Sequence, residues 1–155
     1  MTAPSEGIKT VLLNASPAVG VFGTPTTTQI KSGTWGVFVS KQPDDQNGLD
    51  RCVTIYDTGG LDSNPRWLLD YPTIQVMVRG KPGEYQETYA KALEVKNLLL
   101  GLPSQNIGDV RWVQVNIRGD IGFIGYDSSR RPEFSVNFQL ILEPDPTANS
   151  NREPL

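Results

Sequence analysis

Histidine is absent from this chain of 155 residues. Its absence removes at once the commonest general base, the usual serine-triad base and the commonest metal ligand. Cysteine occurs once, as Cys52, which excludes an internal disulfide and the usual zinc sites. A lone thiol in an alternating segment reads as a small apolar filler of the core. Basic residues are in the minority, 14 against 17 acidic ones, for a formal net charge of -3. The chain therefore has no global electrostatic pull towards nucleic acid or anionic lipid. No run approaches the roughly 18 apolar residues that a membrane span needs. Met1 to Lys9 lacks the basic stretch and apolar run of a secretory leader. The expectation is a protein made and used without crossing a membrane. No GxxxxGK followed by Ser or Thr occurs. Gly119, Gly122 and Gly125 are spaced by three, unlike the dinucleotide fingerprint, and suit a strand with close backbone approach.

What remains is the composition of a soluble globular domain, with 37% hydrophobic and 20% charged residues. The length suits one domain with a sizeable core. Fifteen glycines and twelve prolines point to many loops and strands. The chain is organised around Arg51 to Arg79, which reads as strand, long loop, strand. Val53 and Ile55 alternate with Thr54 and Tyr56 until Asp57-Thr58-Gly59-Gly60 interrupts the run. Asn64-Pro65 prolongs the loop and Tyr71-Pro72 closes it. Ile74, Val76 and Val78 then restore a period of two. Trp67, Leu68 and Leu69 give this loop an exposed apolar tip, although Trp67 reads equally well as core.

Before this unit, Ser5 is placed to cap a short helix carrying Ile8, Val11 and Leu12, ended by Ser16-Pro17. Gly20 to Lys31, rich in threonine and glycine, predicts an extended arm or loop. A strand with Trp35, Val37 and Val39 on one face follows, ended by the turn sequence Pro43 to Gly48. After the unit comes one long helix, entered through Gly80 to Gly83, with Glu84 and Glu87 near its start. Its stripe runs through Tyr85, Tyr89, Ala92, Val95 and Leu99 to Leu102, and Gly101 and Pro103 stop it. The tyrosines read as packing in preference to a stacking platform for bases. Three more strands complete the sheet. Val113, Val115 and Ile117 are expected to share a face opposite Trp112, Gln114 and Asn116. Ile121 to Tyr126 is short, and Glu133 to Glu143 alternates cleanly. The fold class is α+β, a largely antiparallel mixed sheet of about six strands with helices on one face. It fills residues 1–143 as one domain, ahead of a flexible polar tail at 144–155.

Chemistry is sparse. Asp57, Asp62, Asp70, Asp120 and Asp127 lie at strand ends or loops, where a hard-metal or acid–base site gathers, but aspartate is also the preferred turn residue. Arg118-Gly119-Asp120, an adhesion tripeptide, reads as a hairpin turn between two strands. Arg130-Arg131 is either a solvated turn or a contact for a phosphate or carboxylate on a neighbouring subunit. No catalytic residue, cofactor or metal is assigned.

The run Val53-Thr54-Ile55-Tyr56-Asp57-Thr58-Gly59-Gly60, followed by Tyr71-Pro72-Thr73-Ile74-Gln75-Val76-Met77-Val78-Arg79, resembles the paired strands of tail terminator proteins. These belong to long-tailed bacteriophages and are often labelled minor capsid or neck proteins. The helix from near Glu84 and the run from Gly125-Tyr126-Asp127 through Arg131 to Phe138 fit the same pattern. The likeness covers roughly Ile8 to Glu143. It implies a mixed sheet with helices on one face and no enzymatic activity. It also implies a homohexameric ring at the tail–neck junction of the virion, assembled in the bacterial host cytoplasm. Such a ring caps the tail tube, stops its polymerisation and presents a surface to the head-side connector or stopper. DNA passes through its lumen without specific binding. The partners implied are further copies of the chain, the major tail tube protein and the connector. Contacts are expected at Asp57, Gly59, Gly60, Trp67, Leu68, Arg79, Asp127, Arg130 and Arg131. The chain departs from the family pattern in its short N-terminal helix and its long, threonine-rich Gly20 to Lys31 segment. Competing readings are another neck or head-completion ring, a carboxylate-dependent metal enzyme using Asp57, Asp120 or Asp127, and a nucleic-acid-binding module.

Overall fold

The computed structural model describes residues 2–15, 22–23, 35–43, 50–66, 68–144 and 151–152. Among these residues eight strands form one mixed sheet: β1 (Phe22–Gly23), β2 (Trp35–Val39), β3 (Cys52–Leu61), β4 (Tyr71–Arg79), β5 (Gln105–Ile107), β6 (Val110–Ile117), β7 (Gly122–Tyr126) and β8 (Pro132–Glu143). The helices among them are α1 (Pro4–Asn14) and α2 (Tyr85–Leu99). Strand order is β1-β2-β3-β4-β8-β6-β5, with β7 also paired to β8. The two β1–β2 and β2–β3 pairs are parallel and the others antiparallel. The α+β class expected from periodicity is therefore the observed one, with β1 and β5 as short additions at the margins. The turn sequence Asp44 to Gly48, Ser16-Pro17 and most of the Gly20 to Lys31 segment lie outside the described residues.

The core forms between the helices and one sheet face. Ile74, Val76 and Val78 of β4 join Phe134, Val136, Phe138, Leu140 and Leu142 of β8 there, under Ile8 and Leu12 of α1 and Ala92, Val95 and Leu99 of α2. Gly7 lets α1 approach this core closely, since a Cβ there would collide with the Trp112 ring. The opposite face of β4 and β8 carries Thr73, Gln75, Ser135, Asn137 and Gln139, as the alternation required.

Four local expectations are corrected. First, β3 does not stop at Tyr56 but continues to Leu61, paired through Gly60↔Pro72 and Leu61↔Tyr71 after a register shift between Asp57 and Gly60. The glycines make a bulge inside a long hairpin, and among the described residues only 62–66 and 68–69 remain as loop before the Asp70 bridge. Second, Trp112 is buried and Val113 exposed, because a bulge between Trp112 and Gln114 reverses the facing of the first half of β6. Third, Tyr85 and Tyr89 are exposed at 39% and 40%, and Thr88 and Lys91 take the buried side of α2 in their place. Fourth, Arg118-Gly119-Asp120 is not a hairpin turn. β6 and β7 both run antiparallel to β8 and lie along the same edge of it. The tripeptide links two collinear segments, and the Arg118 amide donates to the Asn137 carbonyl at 2.8 Å between them.

Candidate assembly surfaces

The β3–β4 hairpin positions the first group of expected contact residues. Asp57, at its bulge, reaches α1. The Ser5 amide donates to Asp57 Oδ1 at 3.0 Å and the Ser5 hydroxyl to Oδ2. Ser5 is thus not the cap that the sequence suggested. The N-cap position is Ala3, Pro4 opens the helix, and the carboxylate that serves the orphan amide comes from a strand 52 residues away. Gly59 and Gly60 both have positive φ, 87° and 142°, and a Cβ on Gly60 would meet the Tyr71 carbonyl. Beyond them Leu61 is exposed. Trp67 lies outside the described residues, whereas Leu68 and Leu69 are half-buried rather than an exposed tip.

Arg152 donates to Asp70 Oδ1 at 2.8 Å and to the carbonyls of Asn64 and Leu69 at 3.1 and 3.2 Å. Ser63 donates to the same Asp70 oxygen at 2.7 Å, and the Asp70 and Leu142 backbones exchange two hydrogen bonds. The loop is clasped by a residue of the polar 144–155 segment.

A second group gathers where β3 begins, β4 ends and β7 turns into β8. Arg131 donates from Nε to Asp127 Oδ2 at 2.7 Å and from a terminal nitrogen to Asp50 Oδ1 at 3.2 Å. Asp127 Oδ1 also accepts the amides of Ser129 and Arg131. Burial pushes the Asp127 carboxyl up, but the Arg131 amide and guanidinium outweigh it and hold the group below its ordinary range. Arg79 donates to the Asp50 carbonyl at 3.1 Å. With Arg79 and Arg131 exposed at only 2% and 4%, both guanidinium groups are internal braces. The anion contact expected of Arg131 is therefore spent within the subunit. Arg130, exposed and at φ 61°, points outward from the turn. Of the expected contact set, the structure brings together Arg79, Asp127 and Arg131, and sets Asp57, Gly59 and Gly60 apart from them on the hairpin.

Two other candidate acids are equally local in role. Asp120 pairs with Lys96 at 2.9 Å, which lowers its carboxyl, and Asp70 pairs with Arg152. Among the described residues no group of three His, Cys, Asp or Glu side chains could hold a metal ion. Cys52 is fully buried, and burial pushes its thiol up to about 11.

Periodicity missed one surface altogether. Phe123 and Tyr126 on β7 are exposed at 44% and 59%, beside the exposed rings of Tyr85 and Tyr89 on α2, whereas Ile124 alternates to the other face of the strand. The rings meet edge-on: Tyr85 to Phe123 at 5.1 Å, Phe123 to Tyr126 at 5.3 Å and Tyr89 to buried Phe134 at 5.7 Å. The only signal in the sequence was the aromatic content of an otherwise weak, glycine-dotted strand.

A family model described as bacteriophage tail terminator protein matches residues 26–144. No curated protein matches the chain. Among solved structures, a chain from "Virion of native gene transfer agent (GTA) particle" superposes with a TM-score of 0.61 at 11% identity, covering 91% of this chain and 95% of that one. At that identity the likeness speaks for the fold.

Proposed function

Because this chain belongs to the bacteriophage tail terminator family, we propose that it assembles as a homohexameric ring that caps the tail tube. In this reading the ring stops tube polymerisation and presents a surface for the head-side connector. The family match carries the proposal, since residues 26–144 include β2 through β8 and all of α2. The chemistry of the chain is consistent with it. A conduit for DNA works best without gripping the duplex, and phosphate contacts dominate affinity for DNA. A net charge of -3, with Arg79 and Arg131 turned inward, suits that task.

Within this reading the expected contact residues divide by role. Gly59, Gly60, Leu68 and the outward-facing Arg130 belong to surfaces offered to the tube or the connector. Asp57, Arg79, Asp127 and Arg131 hold those surfaces in place from behind. The ring sits at the tail–neck junction of the virion and is assembled in the host cytoplasm. Deleting the gene from a phage that encodes it tests the proposal by electron microscopy of the lysate. Overlong or unjoined tails, restored to normal by the gene supplied in trans, are expected. Tails of normal length with heads that leak DNA would instead assign the chain to a stopper ring.

A further inference from the structure

A closed ring of identical subunits needs two different patches on each, one to meet the other on the next copy. The aromatic ridge of Tyr85, Tyr89, Phe123 and Tyr126 is one patch of exposed rings. Buried whole, such rings each cover about 150–250 Å², so the exposed portions of the four together present on the order of 350 Å². That is nearly half of the roughly 800 Å² that one partner contributes to a standard interface, and it is the size of the largest apolar patch of a typical monomer, which is often functional. Among the described residues β7 pairs only with β8, so the outer backbone edge beside the ridge is also open.

The complementary feature lies at the other end of α2. A groove of ≈ 420 Å³ opens between the C-terminal ends of both helices and β5. Val11, Leu98, Leu102 and Ile107 give it an apolar lining, and Thr10, Asn14, Gln105 and Asn106 a polar but uncharged one. From Tyr85 to Leu98 the helix rises about 20 Å at 1.5 Å per residue, so a subunit cannot fill its own groove with its own ridge. Neither patch contains a charged side chain, and docking one on the other strands no ion in an apolar contact.

We infer that the ridge of one copy seats in the groove of the next, making the head-to-tail contact of the ring. This inference rests on the ring reading proposed above. Two double variants test it by native mass spectrometry and analytical ultracentrifugation. Tyr89→Glu with Tyr126→Glu breaks the ridge on both of its elements, and Thr10→Arg with Asn106→Arg breaks the groove at exposed rim positions. Each variant is expected to keep the wild-type melting temperature within a few degrees and to associate at least about tenfold more weakly than wild type. Mixed one to one, they are expected to stop at a dimer, because each supplies the patch that the other lacks. If a double variant proves unfolded, the single Tyr126→Glu and Asn106→Arg variants are measured in its place, with the same expectation. Variants that assemble like wild type would overturn the inference and leave the ring intact. Variants that form rings but no longer bind tube ends would reassign the ridge to the tube contact. A wild-type protein that stays monomeric at every concentration and on tube ends would overturn the ring itself.

Discussion

At the scale of single residues, four carboxylates that looked like candidate chemistry, Asp57, Asp70, Asp120 and Asp127, are fastenings. Asp57 caps α1 from β3, a contact that no local pattern reveals because its partners are 52 residues apart in the chain. Asp57→Ala should cost about 1 kcal/mol, the usual value of a helix N-cap, read as a lowered urea midpoint with an unchanged slope. An unaltered midpoint would mean that the contact contributes nothing. Asp127 makes a second case. Its folded carboxyl titrates below the ordinary value, so its contribution is present above the unfolded carboxylate range, and is lost as pH falls through the depressed folded value. Glu84 behaves alike, since Arg51 donates to it from two nitrogens at 3.0 and 2.6 Å. Stability should therefore fall as pH drops below about 4. Asp127→Asn should flatten that fall, and a variant curve parallel to wild type would remove Asp127 as its cause.

At the scale of elements, legibility followed alternation and failed at bulges. β8 alternates without interruption and was readable from Phe134 to Leu142. β6 carries an irregularity between Trp112 and Gln114, so a strict period of two assigns Trp112 and Val113 to the wrong faces. In β3 the pair Gly59-Gly60 reads as a loop signal, yet the backbone uses it to bulge and keep pairing. Collinear β6 and β7 were hidden for a related reason: turn residues mark a break in a strand without saying whether the chain reverses. The bulge makes a graded prediction. Gly59 has open space around a would-be Cβ, so Gly59→Ala bears only the positive φ, about 1 kcal/mol. Gly60→Ala adds a collision with the Tyr71 backbone and should cost roughly 2–4 kcal/mol. Equal melting temperatures for the two variants would show that the hairpin end yields easily.

At the scale of the whole molecule, class and family were legible, while the surfaces were not. Missing histidine, a single cysteine and absent phosphate loops steered the sequence away from catalysis, and strand grammar carried the resemblance to tail terminators. A surface is made by elements distant in sequence, and periodicity says only which residues face away from the core. The aromatic ridge joins α2 to β7 across more than 30 residues, and the expected apolar tip at Leu68 and Leu69 is half-covered in a loop that Arg152 clasps. The proposed closing of this structural tail protein into a ring on the tube is tested by electron microscopy of the purified chain incubated with tail tubes. Six-fold rings about one end of each tube, with no further tube growth at that end, are predicted. Monomers that leave tube ends bare and growing would contradict it.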